Sequence, residues 1–367
     1  MIRKFLKHTG IAIACLVLVT LVSILLYRKH LQHRVAEERV IKSANGIDSL
    51  APVRIGGIDQ WIQVRGQDVN NPILLFLHGG PGAAFIPLAG AFQGPWEKYF
   101  TVVQWDQRGA GKTYTSNDHE VLRSTMSIPQ MEQDTLDVVN YLRNRFKRKK
   151  IFVIGHSWGS VLGLWLAHEH PETIYAYVGT GQVINMRQNE ELAYRDALQQ
   201  ARNYHNEQAA KELESIAPYP PSIPDLDKLG TAKKWEAAVL GPLPTHEDEF
   251  LDLTRIVSAP EYSLADDLNF FRGQLLSAKT LFPELMKVEL NKLGSDFYAP
   301  VFFFEGTLDP YCRPSLVWDY NHAINAPQKK FVWFDHSGHY PFFEEQQKFT
   351  DELVERVLPL ASPHQSR

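Results

Sequence analysis

The sequence contains little cysteine and no excess of positive charge. Only two cysteines occur among its 367 residues, and one of them, Cys15, lies inside an apolar run, so the rest of the chain has a single thiol, Cys312, and no internal disulfide framework. The formal net charge of −4 excludes a global attraction to nucleic acid, and no repeat or low-complexity tract is present. Hydrophobic residues make up 44% and charged residues 22% of the chain, a mixture typical of a globular protein with a sizeable core.

One long apolar run lies near the amino terminus. From Thr9 to Tyr27 no side chain carries a full charge, and basic residues precede and follow the run. This length is just sufficient for a helix that crosses a bilayer. The alternatives are a cleavable signal peptide, for which the small residues before a cleavage site are lacking here, and a buried helix of a soluble protein. We expect an uncleaved single-pass anchor in the inner or plasma membrane, with the globular part extracytoplasmic, although the balanced flanking charges indicate orientation only weakly.

Short apolar runs alternate with helical segments after residue 50. Three runs, Ile73–Leu77, Thr101–Trp105 and Ile151–Ile154, are each followed by a turn that contains glycine. Continuous apolar runs of this length are typical of parallel strands that are buried on both faces. An amphipathic stretch, Ile128–Phe146, separates the second run from the third. The pattern predicts an α/β fold with a mostly parallel central sheet and helices on both faces.

A long helical insertion interrupts the strand pattern. The pattern stops after Tyr175–Val178 and resumes at Val301–Phe304 and Phe331–Phe334, and the intervening chain is rich in Glu, Gln, Ala, Leu and Lys. Such an insertion would cover the carboxyl ends of the strands, where it would select the substrate. The predicted organisation is a basic tail (1–8), a transmembrane anchor (9–27), a linker (28–50), the first part of the α/β core (51–184), a helical cap (185–295) and the second part of the core (296–367).

A nucleophile motif lies at the third of these strands. The run from Gly155 to Gly159 matches G-x-S-x-G, between a predicted strand and a predicted helix. A sharp strand-to-helix turn forces the central serine, Ser157, into a strained conformation, and the flanking glycines let the chain pass closely. The hydroxyl is then exposed at a helix amino terminus, where the helix dipole favours developing negative charge. We expect Ser157 to be the nucleophile of an α/β-hydrolase fold.

A serine nucleophile needs a base, and the base needs a carboxylate that fixes its tautomer. In this fold the chain order is serine, acid, histidine. Asp309 follows the strand that begins at Val301, and His339 follows the last strand, so these two residues are the predicted acid and base. Each has a competitor: Asp319 lies further on, in a predicted helix, and His336 lies three residues before His339.

The oxyanion formed on attack needs backbone donors that are already in place. One is the amide of Trp158, which follows the nucleophile. The second is predicted in the loop His78–Gly82, where glycines let the backbone approach a substrate carbonyl closely. We assign this role to the amide of Gly80, with Gly79 as the alternative, whereas the glycines could also serve only a tight turn. His78 is expected to be a hydrogen-bonded structural residue of this loop.

Three motifs together carry a resemblance to a known family. His78–Gly82, Asp106–Gly111 and Gly155–Ser160, in this order and spacing, resemble the proline iminopeptidase family of α/β hydrolases over roughly residues 51–358. The resemblance implies a helical cap between the sixth and seventh core strands and the triad Ser157, Asp309 and His339. It also implies a serine peptidase that removes N-terminal residues, often proline, from short peptides without a metal or organic cofactor.

Two positions depart from the family pattern. Many members have glycine where this chain has His156, and some have an acidic residue, which helps to bind the substrate amine, where it has Pro310. An exopeptidase needs carboxylates near the cap to hold a cationic N-terminus. Three glutamates are candidate substrate-binding residues by location, although solvated side chains are equally consistent with the pattern: Glu190, Glu191 and Glu261.

Two other functions remain open. Aromatic residues of the cap, such as Phe270, Phe271 and Phe282, suit an esterase, amidase or lipase-like enzyme that acts on apolar acyl groups, although core packing explains them equally well. A catalytically silent domain that binds ligands at a membrane is the other alternative, but such domains usually lose a triad residue. Relatives that use an aspartate nucleophile, such as epoxide hydrolases, are disfavoured by Ser157. The sequence predicts no oligomeric state.

Overall fold

A computed structural model describes residues 2–241 and 247–361, with side chains for residues 8–241 and 249–361. An eight-stranded sheet has the strand order β1-β2-β4-β3-β5-β6-β7-β8, in which β2 pairs antiparallel with β1 and β4 and all other neighbours are parallel. The strands are β1 (Ile47–Ile55), β2 (Ile58–Gly66), β3 (Ile73–Leu77), β4 (Thr101–Asp106), β5 (Ile151–His156), β6 (Ile174–Thr180), β7 (Val301–Gly306) and β8 (Lys329–Phe334). The predicted mostly parallel α/β sheet is confirmed.

Helices cover both faces of the sheet. The α-helices are α1 (Ile2–Glu38), α2 (Gly111–Ser116), α3 (His119–Thr125), α4 (Ile128–Arg145), α5 (Trp158–Glu169), α6 (Met186–Asn203), α7 (Glu207–Ser215), α8 (Leu226–Leu240), α9 (Glu247–Phe250), α10 (Leu253–Ser258), α11 (Leu264–Leu285), α12 (Pro314–Ala323), α13 (Pro341–Glu344) and α14 (Gln346–Glu352). Short 3₁₀ segments lie at Ala89–Ala91, Trp96–Lys98, Pro171–Thr173, Leu290–Lys292 and Leu358–Ala361, and a π-helical turn lies at Leu353–Val357.

The central strands form where the sequence is continuously apolar. Every residue of β3, β4, β5 and β7 is buried, because helices pack on both sides of these strands. The first two strands differ, since they form an antiparallel hairpin around Gly56 and Gly57, both with positive φ. β1 is only partly buried, and the sheet begins at Ile47, within the segment expected to be a linker. The hairpin extends the sheet at one edge.

The predicted cap consists of α6 to α11, which lie between β6 and β7. α6, α7 and α8 enclose a small apolar cluster of their own that includes Ala201, Leu213 and Trp235. α11 crosses onto the core, where Gly273 packs so closely on the carbonyl of Gly109 that a side chain would not fit between them. The cap therefore has two parts. Helices α6 to α8 form a small subdomain, whereas α11 extends the core.

The N-terminal helix α1 is long and apolar enough to cross a membrane, and its apolar part makes no buried contact among the described residues. The helix continues past that part and contacts the cap. The Arg28 guanidinium pairs with Asp267 and donates to the carbonyl of Tyr262, while the Gln32 amide donates to the carbonyl of Ala259 at 2.7 Å. The carboxyl-terminal half of α1 is thus fastened to the connection between α10 and α11.

Candidate active site

Ser157 lies at a sharp turn between β5 and α5. Its φ of 53° and ψ of −120° place a non-glycine residue in a strained backbone conformation. A side chain on Gly155 would approach the carbonyl oxygen of Gly159 to 2.6 Å, and one on Gly159 would collide with the carbonyl of Leu77. The two glycines of the motif are therefore required by close backbone contacts, and the turn leaves Ser157 partly exposed at the start of α5.

Asp309 and His339 meet at the carboxyl ends of β7 and β8. The Nδ1–H of His339 donates to Oδ2 of Asp309 over 2.7 Å, and both residues are buried. The second oxygen of Asp309 accepts the backbone amides of Tyr311 and Cys312 at 2.8 and 2.9 Å. This arrangement fixes the tautomer of His339 and makes Nε2 the ring nitrogen that can receive a proton. Ser157 and His339 line the same cavity, so the structure brings the three predicted residues together.

The competing residues lie elsewhere. Asp319 is an exposed residue of α12, and His336 is exposed in the same loop as His339, three residues earlier. The ligand atoms of Asp309, Cys312 and His339 lie within 4.8 Å of one another, close enough to be considered as a metal site. Burial raises the pKa of the Cys312 thiol well above its usual value, and Nδ1 of His339 is already hydrogen-bonded to Oδ2 of Asp309. The Asp309–His339 bond favours a catalytic dyad over metal coordination.

Two contacts hold the loop that carries His339. The Glu344 carboxylate accepts the backbone amides of Gly338 and Tyr340, at 2.8 and 3.2 Å. On the other side, His156 places its Nε2 2.9 Å from the carbonyl oxygen of His339, and because a carbonyl can only accept, this nitrogen carries the proton. Burial lowers the pKa of His156 well below its usual value, so the ring is neutral. The residue that departs from the family pattern thus supports the base.

The predicted oxyanion loop passes directly over the nucleophile. A side chain on Gly79 would lie 3.0 Å from Cβ of Ser157, and Gly80 has a φ of +115°, which favours glycine. Gly79, Gly80 and Trp158 all line the cavity beside Ser157. Trp158 is the first residue of α5, so its amide belongs to the positive end of that helix. The glycines therefore serve close approach to the nucleophile as well as the turn.

A glutamine that sequence reasoning missed joins the two halves of this region. The Gln107 side-chain amide donates to the carbonyl of His78 and its oxygen accepts the indole N–H of Trp158, both at 3.0 Å. His78 donates from Nδ1 to the carbonyl of Gly79 and accepts the Gln107 backbone amide on Nε2. Burial lowers the pKa of His78 to about 4, so it stays neutral in this network. No pattern in the sequence distinguishes Gln107 from other residues of its motif.

The cavity has a volume of about 370 Å³ and lies between the cap and the carboxyl ends of the strands. Most of the cap residues that line it are apolar, and they include Met186, Leu229, Leu251, Phe270 and Phe282. Glu190 and Lys233 are the charged cap residues on the described lining. An acyl or side-chain group of modest size can therefore bind in an apolar environment that has one polar region.

That polar region is a buried charge cluster formed by α6 and α8. Lys233 Nζ lies 2.6 Å from Glu190 and 2.8 Å from Glu236, and the Tyr219 hydroxyl donates to the other oxygen of Glu190 at 2.5 Å. The second oxygen of Glu236 is buried and accepts no hydrogen bond from any residue that the structure describes. Burial raises the pKa of Glu236. Two carboxylates thus share one ammonium group.

The other two candidate glutamates lie away from the cavity. Glu191 is exposed, since consecutive residues of a helix point about 100° apart and its side chain therefore lies off the buried face that carries Glu190. Glu261 pairs with Arg39 at 3.1 Å and accepts the Gln63 amide at 2.9 Å, which fastens the cap to the end of α1 and to β2. Neither residue is among the described residues of the cavity lining. Of the three predicted substrate-binding residues, the structure places only Glu190 in the cavity.

Comparison with known proteins gives consistent matches along most of the chain. Residues 72–346 match the alpha/beta hydrolase fold family. A probable aminopeptidase of Bacillus subtilis is 31% identical over 317 residues, which cover 86% of this chain and 98% of that protein. A proline iminopeptidase of Neisseria gonorrhoeae is 26% identical and covers 81% of this chain and 93% of its own length. A proline iminopeptidase-related protein from Thermus thermophilus shares the fold, with a TM-score of 0.58 at 19% identity over 86% of this chain and 99% of that one.

Proposed function

The chain belongs to the α/β hydrolase family, and we propose that it is a serine hydrolase that acts through an acyl-enzyme intermediate. Ser157 attacks the substrate carbonyl while His339 takes its proton, and Asp309 holds the imidazole and stabilises the imidazolium that forms. The amides of Gly80 and Trp158 bind the oxyanion. His339 then protonates the leaving group, and a water molecule activated by the same base hydrolyses the acyl-enzyme. The Asp309–His339 hydrogen bond next to a strained Ser157 supports this mechanism.

We propose further that the substrates are short peptides with a free N-terminus, from which the enzyme removes the first residue. The observation that carries this proposal is the Glu190 carboxylate, which lies on the cavity lining with Ser157 and His339. Burial raises the pKa of Glu236 to about 7, so at neutral pH only part of the protein has both Glu190 and Glu236 ionised beside Lys233, and a further cation stabilises that form. An N-terminal ammonium group provides that charge, and the named aminopeptidase relatives support the same conclusion.

A second candidate function is hydrolysis of apolar acyl esters or amides. It is favoured by the apolar side chains that make up most of the cavity lining, including Phe270, Phe282 and Leu229. An N-terminal proline or other apolar residue would fit the same surface. The two functions therefore differ mainly in whether the polar region around Glu190 is used.

We also propose that α1 anchors the enzyme in the inner or plasma membrane, with the globular part extracytoplasmic. Large apolar side chains of α1, such as Leu16, Leu18 and Leu26, are more than half exposed. Burial of such a surface in a bilayer is favourable, whereas its exposure to water is not. Attachment of Arg28 to the cap supports a position of the globular part directly at the membrane surface.

A substrate panel tests the proposed activity. The full-length protein, purified in detergent, is assayed on prolyl and other aminoacyl naphthylamides, on their N-acetylated forms and on short acyl esters. Hydrolysis only of the free-amine substrates supports the aminopeptidase, and equal or faster hydrolysis of blocked amides or esters supports the acyl hydrolase instead. Ser157→Ala is the control for contaminating activity. Absence of Ser157 labelling by a fluorophosphonate probe would contradict both functions and favour a non-catalytic binding domain.

A further inference from the structure

An exposed apolar stripe runs along α11. Four large side chains on this helix are between 44% and 65% exposed: Leu264, Leu268, Phe271 and Leu275. Their spacing of four, three and four residues places them on one face of the helix, within about 60° of one another. Isolated apolar residues on a protein surface are ordinary, but a continuous stripe of four indicates a contact surface.

The stripe lies beside the attachment point of α1. Asp267, which pairs with Arg28, is within about 100° of every residue of the stripe on the helical wheel. Arg28 is also the first charged residue after the apolar run of α1. If α1 spans a bilayer, Arg28 lies at the level of the lipid head groups, and its partner Asp267 lies there too. The first three turns of α11, which carry the stripe, then lie at the membrane surface.

Charged residues flank the stripe in the way expected of a helix at a lipid surface. Arg272 and Lys279 are exposed and lie on α11 about 20° to 40° beyond the most distant residue of the stripe. Basic residues beside an apolar face can reach lipid phosphates while the apolar side chains enter the head-group region. The distribution of charge therefore fits a lipid surface better than a second protein with an apolar interface.

The stripe also reaches the cavity. Phe271 is 56% exposed and at the same time lines the cavity that contains Ser157. On the same helix, Gln274, Ala278 and Phe282 continue the lining inward. α11 therefore forms a wall of the cavity. The outer end of this wall lies at the apolar stripe, next to the point where α1 leaves the protein.

We propose that the stripe on α11 inserts into the surface of the bilayer that α1 spans, so that the cavity opens at the lipid surface and admits substrates that are held there. This proposal rests on the proposed membrane span of α1. It adds that the cap is itself a membrane-binding element. The substrates it favours are amphiphilic, with an apolar part in the bilayer and the scissile carbonyl near the head groups.

Site-directed spin labelling of the full-length protein in lipid nanodiscs tests this proposal. Cys15 is replaced by serine and Cys312, which lines the cavity, by alanine, and single cysteines are introduced at Leu268 and Leu275, which lie on the stripe but not on the cavity lining. Two reference positions are labelled in parallel. Leu18 lies within the apolar part of α1, and Tyr298 is an aromatic residue, 76% exposed, that precedes β7 and so lies near the amino end of that strand, whereas the cavity lies at the carboxyl ends. The circular dichroism spectrum of each labelled variant, compared with that of the unlabelled protein, shows that the variant is folded.

The measurement is the collision rate of each nitroxide with oxygen, which is concentrated in the bilayer, relative to a water-soluble nickel chelate. We expect the ratio at Leu268 and Leu275 to be several-fold higher than at Tyr298 and to approach the ratio at Leu18. A high ratio at Leu18 alone would overturn the proposal for the stripe while leaving the anchor intact. A low ratio at Leu18 would overturn both. Low collision rates with both reagents at Leu268, with dipolar broadening between labels, would show that a second copy covers the stripe. None of these outcomes depends on the peptidase activity.

Discussion

His156, the last residue of β5, and His339, which follows β8, are joined by a hydrogen bond from the ring of His156 to the backbone carbonyl of His339. The distance from Nε2 of His156 to the carbonyl oxygen of His339 is 2.9 Å, and the two ring centroids lie 4.6 Å apart. The residue directly before the nucleophile thereby positions the base that activates it. Because both rings are buried, His156 is neutral and can donate without placing a second positive charge beside an imidazolium.

Replacement of His156 tests this positioning role. His156→Ala removes the donor to the carbonyl of His339, and since a hydrogen bond of this kind contributes about 1 kcal/mol, we expect kcat to fall about fivefold with little change in KM. His156→Gln keeps an amide donor and should recover part of the loss. Rates are normalised by active-site titration with a fluorophosphonate, so that misfolded protein does not contribute. A change confined to KM would contradict the positioning role.

Gln107 should affect the oxyanion site. Gln107→Leu removes the two hydrogen bonds that link the carbonyl of His78 to the indole of Trp158. Loss of one oxyanion donor typically lowers kcat on the order of 10²-fold to 10³-fold. Because Gln107→Leu displaces the donors without removing them, we expect kcat to fall by between about tenfold and about a hundredfold. Gln104→Leu is the matched control, because Gln104 is equally buried but donates to Gln93, within the core. Equal effects of the two substitutions on kcat would argue against a role for Gln107.

Glu190 should control the recognition of the free amine. Glu190→Gln removes one negative charge from the cluster around Lys233, and a hydrogen bond to a charged group contributes about 1.5 to 3 kcal/mol. We expect KM for free-amine substrates to rise by about tenfold or more, while hydrolysis of N-acetylated or ester substrates changes little. Glu191→Gln, at the exposed neighbouring position, is the control. An equal rise for blocked and unblocked substrates would mean that Glu190 has a structural role only.

A buried ion pair beneath the site should be important for stability rather than for catalysis. The Arg108 guanidinium makes two hydrogen bonds to Asp134, at 2.9 and 3.1 Å, and both side chains are fully buried. Arg108→Met leaves the buried carboxylate with hydrogen bonds from Gln60 and Gln130 but without a positive charge beside it, so we expect the free energy of unfolding to fall by about 3 kcal/mol. The double variant Arg108→Met/Asp134→Leu should lose less. Denaturant unfolding of the full-length protein in detergent provides the comparison, and a larger loss in the double variant would contradict this interpretation.

The parallel strands could be predicted because burial on both faces leaves a continuous apolar run in the sequence. The hairpin of β1 and β2 was not predicted, since a strand such as Ile58–Gly66 has neither a continuous apolar run nor a regular alternation of apolar and polar residues. Gly56 and Gly57 between them are the turn signal that could have revealed it. Helix α1 was predicted as an apolar segment, but its attachment to the cap depends on contacts across more than 200 residues of sequence, which local patterns do not contain.

The same distinction applies to the active site. Ser157, Asp309 and His339 each follow a recognisable strand, so their order along the chain was enough to predict them together. Lys233 and Glu236 have the spacing of a solvated helix face, and only the packing of α8 on α6 brings them to Glu190. Sequence reasoning could therefore name Glu190 but could not distinguish it from Glu191, whose side chain is exposed one position later.

Asn189 fastens the cap to the loop of the catalytic acid. Its side chain donates to the carbonyl of Tyr311 at 2.6 Å and accepts the backbone amide of Arg313 at 2.7 Å. Both residues lie in the segment that follows Asp309. A hinge movement of α6 away from the core would therefore break these bonds or pull the acid out of line with its histidine. Substrate exchange past α6 is therefore coupled to the alignment of Asp309 with His339. A cap that is open on the α6 side would be inactive. Exchange of substrate past the other wall, formed by α11, would leave the hydrogen bonds of Asn189 intact.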